Sequence, residues 1–254
     1  MIFGRKPIMT AAIESEILDA LVMYQQRAKW KAWGLHNLRK QGAAILLEGP
    51  PGCGKTVIAE WAAIKVRKKG LKEISFKDFG SNEPGRNAKN IAQFFEECYE
   101  RETSYYVNEC DSLLYDRKLL GPDMMWMLEI INEFLVQIER YPYLGFLSTN
   151  LVEIIDPALE RRLLARIHIG RPELPERKKL WTVKMPEQIP FRFSDVQLDR
   201  IAALQLTGAE IETAIIKAAS MVLRKNRKPK FEDFYQAADR FHFQTSGEHA
   251  PKIK

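Results

Sequence analysis

The sequence predicts an open, mostly parallel α/β sheet followed by a purely helical region, and three observations carry that expectation. Short apolar runs alternate with helical patterns as far as Gly170, the order of βαβ units with right-handed crossovers. The run AAILLE at 43–48 is continuously apolar until its last residue, the mark of a strand buried on both faces. After RPELP (171–175) the strand-like runs stop, and its two prolines mark a boundary.

The elements follow in order. Residues 10–33 carry Ile13, Ile17, Leu21 and Tyr24 at helical spacing, and GLHNLRKQG breaks the pattern. AAILLE is the first strand. A Gly/Pro-rich loop follows it, then a helix through about residue 69. EISFKDF (73–79) reads as a strand, SNEPGRN (81–87) as a loop, and 88–101 as a helix with Ile91, Phe94 and Phe95. YYVN (105–108), LGFLS (144–148) and RIHIG (166–170) read as three more strands. Between the first two of these lies a helix from about Pro122 to Arg140. Its run MMWMLEIINEFLVQI has large side chains all round, as in a helix buried on several sides. Ser194 caps a helix that includes Val196, Ile201 and Leu204. Ile211, Ile215, Ala218 and Val222 form one face of the next. A last helix starts near Phe231, with Phe234 and Ala237. The expected division is a helical lead-in at 1–42, an α/β unit at 43–172, a helical unit at 173–242 and a polar tail at 243–254.

A chain of 254 residues, 46% hydrophobic, builds one large domain or one domain with a small appendage. The net charge of +6 suits an acidic partner or nucleic acid without requiring either. The basic residues are spread out, apart from clusters such as RKNRKPK (224–230). Cys53, Cys98 and Cys110 are odd in number and fit no metal spacing, so they read as reduced thiols of a cytoplasmic protein. The four histidines are scattered, which argues against zinc. No apolar run reaches the roughly 18 residues of a membrane span. No signal-peptide pattern opens the sequence.

GPPGCGKT, Gly49 to Thr56, fits the pattern G-x-x-x-x-G-K-[ST] in full, after a buried strand and before a helix. Gly49, Gly52 and Gly54 let the backbone turn tightly and aim its N–H groups at phosphate oxygens. Pro50, Pro51 and Cys53 fill the variable part of the loop. The helix N-terminus adds partial positive charge. Lys55 is a point charge for the β- and γ-phosphates, and Thr56 offers a hydroxyl to Mg²⁺. The expectation is a P-loop NTPase: a parallel five-stranded sheet sandwiched by helices, then a small all-helical lid, with ATP and Mg²⁺ as cofactors.

Six segments in the same order resemble the AAA+ ATPases, nearest their classical AAA branch. They are ILLEGPPGCGKT (45–56), NAKNIAQFFEEC (87–98), YYVNECDSLL (105–114), FLSTN (146–150), IDPALERRLLARIHI (155–169) and LTGAEIETAIIKAA (206–219). The resemblance covers roughly residues 10–242. It implies that Glu109 is the general base for the attacking water and that Asn150 is the sensor amide facing the γ-phosphate. It makes Arg161 and Arg162 the arginine fingers that act on a neighbouring subunit's nucleotide. Gly208 and Ala209 would approach the base or ribose from the lid. Thr56 and Asn108 would serve the metal. Asp111 fits either a structural or relay role or a helix cap. Fingers acting in trans imply a homo-oligomer, and the family implies a six-membered ring.

Two positions depart from the family pattern. Asn108 stands where the family has aspartate, either as the chain's own residue or as an Asp→Asn replacement. An amide keeps an acceptor oxygen and loses the charge, so nucleotide binding should survive and hydrolysis should slow. The first pore loop has Glu83 and Pro84 before Gly85, not the aromatic and aliphatic pair that grips polypeptide. Phe79 is the nearest aromatic and reads better as a strand-end core residue. Arg86 and Lys89 would suit a phosphate backbone. Three readings follow: remodelling of a protein or of a macromolecular complex, with a protein substrate or adaptor; a DNA-associated ATPase; and a nucleotide-switched scaffold that does not hydrolyse. No membrane role is expected.

Overall fold

The computed structural model describes residues 6–34, 43–66, 70–79, 86–111, 125–151 and 155–246. Five short strands pair in parallel: β1 (Ala44–Glu48), β2 (Leu71–Ser75), β3 (Ser104–Asn108), β4 (Gly145–Thr149) and β5 (Leu163–His168). Their order across the sheet is β2-β3-β4-β1-β5. Every residue of β1 and β4 is buried, as expected of strands covered on both faces.

Alternation along the strands divides the core. Ala44, Leu46, Tyr105, Val107 and Leu147 share one cluster with α4 (Arg86–Glu100) and α5 (Met125–Arg140). Phe94, Phe95 and Phe134 sit at its centre, and Tyr105 meets Phe95 edge to face at 4.9 Å. The alternate residues, Ile45, Leu47, Tyr106 and Phe146, are equally buried. Helix α3 (Lys55–Val66) packs against β2, β3 and β4, and α1 (Ala11–Gln25) packs against β5. A short α2 (Arg27–Ala32) follows α1, so the expected single helix over 10–33 is divided.

The second strand differs most from expectation. It begins at Leu71 and ends at Ser75, and Phe76–Phe79 form a 3₁₀ turn. The Asp78 side chain accepts from the Ser75 N–H at 3.2 Å, a local bond that turns the chain out of the ladder. Phe79 is thereby fully buried against Phe94 and Phe134. β5 likewise starts three residues before RIHIG. A short α6 (Pro157–Glu160), capped by the Asp156 side chain, precedes it. Glu83, Pro84, Gly85 and the beginning of the 122–140 helix lie outside the described residues.

By contacts the chain divides into two units. The first contains the sheet, from Ala11 to Pro50 and from Lys55 to Ile169; the second contains Ile8–Thr10, Pro51–Gly54 and the chain from Gly170 onward. The second unit holds α7 (Leu174–Lys184), α8 (Asp195–Ala202), α9 (Gly208–Arg224) and α10 (Phe231–Ser246). Helix α7 was not expected from the sequence. Pro175 lies in its first turn, where the missing N–H costs nothing. Trp181, Ile201, Ile211, Ile215 and Phe234 pack in the unit's core. Val196 lies in α8 as expected and is exposed, whereas Leu204, expected in the same helix, falls beyond its end at Ala202. Ser194 with Gln197 and Thr207 with Glu210 close capping boxes at the starts of α8 and α9. Arg227 makes a two-pronged pair with Asp233, one prong at 2.7 Å.

Two substitutions test this packing. A Cβ on Gly145 would fall 1.9 Å from the Tyr105 ring. Gly145→Ala should therefore lower stability by about 1–3 kcal/mol in urea melts, the usual cost of overpacking. Arg227 beside Asp233 holds the Asp233 carboxyl below the ordinary carboxylate range. A depressed folded value means that the stabilisation is complete above about pH 4 and fades as pH falls through the folded value. Asp233→Asn should lower the thermal midpoint near pH 7, and the gap from the parent chain should narrow below about pH 4.

Candidate functional site

The loop joining β1 to α3 is shaped by backbone approaches that only glycine permits. Gly49 has φ of +140°, and a Cβ there would lie 2.1 Å from the Ile169 carbonyl oxygen. Gly52 has φ of +77°, and its Cβ would lie 2.8 Å from both the Ala209 Cβ and the Thr207 Oγ1. The Ala209 N–H donates to the Gly52 carbonyl at 3.3 Å, so Ala209 and its neighbour Gly208 stand at the loop tip. Gly54 also takes positive φ. Pro51 is exposed and Pro50 and Cys53 half-buried. The loop then enters α3 at Lys55, where the first-turn N–H groups have no partner within the helix.

Lys55 is buried at 8% exposure. Its Nζ donates to the Gly49 carbonyl at 2.7 Å, to the Pro50 carbonyl at 3.0 Å and to the Asn150 Oδ1 at 2.9 Å. The cation of the loop and the amide at the end of β4 are thus in direct contact. Asn150 is held in turn: its N–H donates to the Asp111 Oδ1 at 3.2 Å, and the Thr149 hydroxyl donates to the same oxygen. Asp111 thus holds the Asn150 backbone, a positioning role across strands and not only a local cap.

Asn108 ends β3. Its Oδ1 accepts from the Ser148 hydroxyl at 2.8 Å, from the Glu109 N–H at 3.0 Å and from the Tyr106 hydroxyl at 3.4 Å. The Tyr106 hydroxyl also lies 2.9 Å from Ser148 Oγ and 3.0 Å from Thr56 Oγ1. Asn108 and Thr56 are therefore linked through Tyr106. Glu109 is exposed and has φ of +53°, a left-handed conformation that costs a non-glycine residue about 1–3 kcal/mol. Such strain is commonly kept where a side chain must be aimed.

Arg161 and Arg162 part company. Arg161 is exposed. Arg162 donates from Nε to the Glu139 carboxylate at 3.0 Å and from a terminal nitrogen to the Ala158 carbonyl at 2.7 Å. Both hold it within its own chain. Cys98 and Cys110 are fully buried, and burial pushes the Cys98 thiol up to about 11 and the Cys110 thiol higher still. Neither supplies a thiolate at neutral pH. Among the described residues no group of three or more His, Cys, Asp or Glu is placed to hold a metal ion. No helix among them is long and apolar enough to cross a membrane.

Sequence reasoning missed Tyr106 and Ser148. The signal was present in Tyr106, which lies two residues before Asn108 and so on the same strand face. Ser148 needed the pairing of β3 with β4, in which Val107 lies beside Leu147.

Residues 45–171 match the model of the ATPase family associated with various cellular activities, AAA. The ATP-dependent zinc metalloprotease FtsH of Lactiplantibacillus plantarum is 29% identical over 209 residues, covering 78% of this chain and 28% of that protein. The cell division cycle protein 48 homolog of Archaeoglobus fulgidus is 30% identical over 193 residues, covering 71% of this chain and 25% of its own. The chain thus spans under a third of these relatives. Among solved structures, the FIGL-1 AAA domain in complex with ADP superposes with a TM-score of 0.75 at 21% identity, over 100% of this chain and 86% of that one. The HORMA:CdnC:Trip13 complex of E. coli MS115-1 contains a chain with a TM-score of 0.70 at 16% identity, over 91% of this chain and 87% of that one. These two likenesses are of fold, a P-loop NTPase sheet with a C-terminal helical region. The family match takes in the glycine loop, the end of β3 and Asn150 and fills half of the sequence, so this chain belongs to the AAA family of ATPases.

Proposed function

We propose that this chain binds Mg-ATP at the Gly49–Thr56 loop, hydrolyses it slowly, and couples the cycle to remodelling of a protein or a protein complex within a ring of copies of itself. The observation that supports it most is the direct contact of Lys55 with Asn150 at 2.9 Å. It sets Lys55, which we read as the phosphate-binding cation, against Asn150, which we read as the γ-phosphate sensor, beside the ends of two adjacent strands. FtsH, a relative, is by its name an ATP-dependent protease. We therefore take polypeptide, rather than DNA, as the material acted on.

The cation fits the residues present in one particular way. The described residues offer no protein cage for it. Mg²⁺ is commonly held by phosphate oxygens with one or two protein ligands and several waters. The Thr56 hydroxyl supplies such an oxygen, with Asn108 behind it. Bound there with the nucleotide, Mg²⁺ would offset charge on the β- and γ-phosphates. Glu109 would orient and deprotonate the attacking water, and Asn150 would hold that water against the γ-phosphate. With an amide at Asn108 the cation lacks one supporting negative charge, which is why turnover is slow.

Arg161 is exposed and points the trans reading toward itself; Arg162 serves a neighbour only after leaving Glu139. An arginine that acts on a neighbouring copy's nucleotide implies a closed assembly of like subunits, and a ring of heterologous contacts is the geometry that provides it.

Four variants test the reading by steady-state phosphate release. Asn108→Asp should raise turnover about 10-fold or more, in line with second-shell effects at metal sites; an unchanged rate contradicts the role given to the missing charge. Glu109→Gln should lower turnover about 10²–10⁴-fold with nucleotide binding retained. Mixing Arg161→Ala with Glu109→Gln chains should restore activity above either alone if the arginine acts in trans. No restoration at any ratio, for Arg161→Ala or Arg162→Ala, rules out a shared site.

A further inference from the structure

The Thr56–Tyr106–Ser148–Asn108 chain of contacts has a direction that can be worked out by counting protons. Each hydroxyl has one proton to give, and an amide oxygen has none. The Glu109 N–H can only donate, so the Asn108 atom 3.0 Å from it must be the oxygen. That oxygen ends the chain. Ser148 therefore donates to Asn108 at 2.8 Å, Tyr106 gives its proton to Ser148 at 2.9 Å or to the Asn108 oxygen itself at 3.4 Å, and in either case the remaining contact at 3.0 Å is Thr56 donating to the Tyr106 oxygen. Tyr106 is fully buried, and its phenol oxygen can both donate its one proton and accept one.

We propose, resting on the Mg-ATP reading above, that Tyr106 is a positioning residue for the nucleotide's cation: it accepts the Thr56 proton and so turns the Thr56 lone pairs outward to a divalent cation. A hydroxyl ligand must present a lone pair to the cation and send its proton elsewhere. In this chain the elsewhere is a phenol on the adjacent strand face. A tyrosine whose only task is to fill space between β3 and α3 would lose little on becoming phenylalanine. A positioning tyrosine loses the acceptor. Asn108→Asp leaves the direction intact, since a carboxylate is also an acceptor, so the charge at 108 and the hydroxyl at 106 are separable.

The test is a fluorescence titration of the full chain with a labelled ATP, first in EDTA and then with increasing Mg²⁺ at fixed nucleotide. In Tyr106→Phe the affinity in EDTA should stay within about twofold, and the Mg²⁺ midpoint should rise about 10-fold, as for a lost outer-shell partner. Ser148→Ala should shift the midpoint in the same direction by less. The double variant should be no worse than Tyr106→Phe alone, because both break one chain. An unchanged Mg²⁺ midpoint in a folded Tyr106→Phe overturns the proposal. If Tyr106→Phe does not fold by its thermal melt, Ser148→Ala decides: a raised midpoint supports the proposal and an unchanged one overturns it. Failure of the parent chain to bind the nucleotide at all, with or without Mg²⁺, would instead overturn the Mg-ATP reading on which the proposal rests.

Discussion

Residue by residue, β1 runs parallel beside β4, with Glu48 next to Thr149 and the Gly49 N–H donating to the Thr149 carbonyl at 3.2 Å. That pairing is the constraint on which the site depends. It ends both strands at the same height, so that the loop leaving β1 and the amide leaving β4 emerge side by side. The Ile169 N–H fixes the other flank through the Glu48 carbonyl at 2.7 Å. Gly49 is wedged between them, where no side chain fits. Lys55 can reach Asn150 only because this pairing is in place. Ligands of open parallel sheets lie outside the carboxyl ends of the strands, and the Gly49–Thr56 loop and Asn150 stand at those ends of β1 and β4.

Around that junction the protein uses two hydrogen-bonded arrays with different tasks. One is charged: Asp111 holds the Asn150 backbone and the Thr149 hydroxyl, and the Asn150 amide meets Lys55. The other is neutral, buried at its centre and half-buried at its ends: three hydroxyls run from Thr56 to the Asn108 amide. In a low-dielectric interior a chain of this kind is ordered, because each member's single proton fixes its neighbour's. On this account an amide at 108 maintains the order of the array while removing the charge. Binding geometry and catalytic rate are then set by different features of one residue.

Much of this was legible in the sequence. GPPGCGKT is a local motif whose spacing alone carries its chemistry, and the buried runs of β1, β3 and β4 fall within a residue of their observed limits. What was not legible depended on tertiary contact. EISFKDF has the composition of a strand throughout, but Asp78 turns it and Phe79 is taken into the aromatic cluster. Pro175 reads as a breaker and is a first-turn proline. Arg161 and Arg162 are adjacent and chemically equal, and only the position of Glu139 distinguishes them. Tyr106 looked like one more apolar strand residue until Ser148 and Thr56 were placed around its hydroxyl.

The central claim is that Lys55 and its loop form a nucleotide-phosphate site in this chain. Calorimetric titration with ATP, on the parent chain and on Lys55→Ala, tests it most directly. The account predicts saturable binding of one nucleotide per chain, weakened roughly 10-fold to 100-fold in Lys55→Ala, the scale of a lost charged hydrogen bond. No saturable binding by the parent chain, or equal affinity in the two, would contradict it.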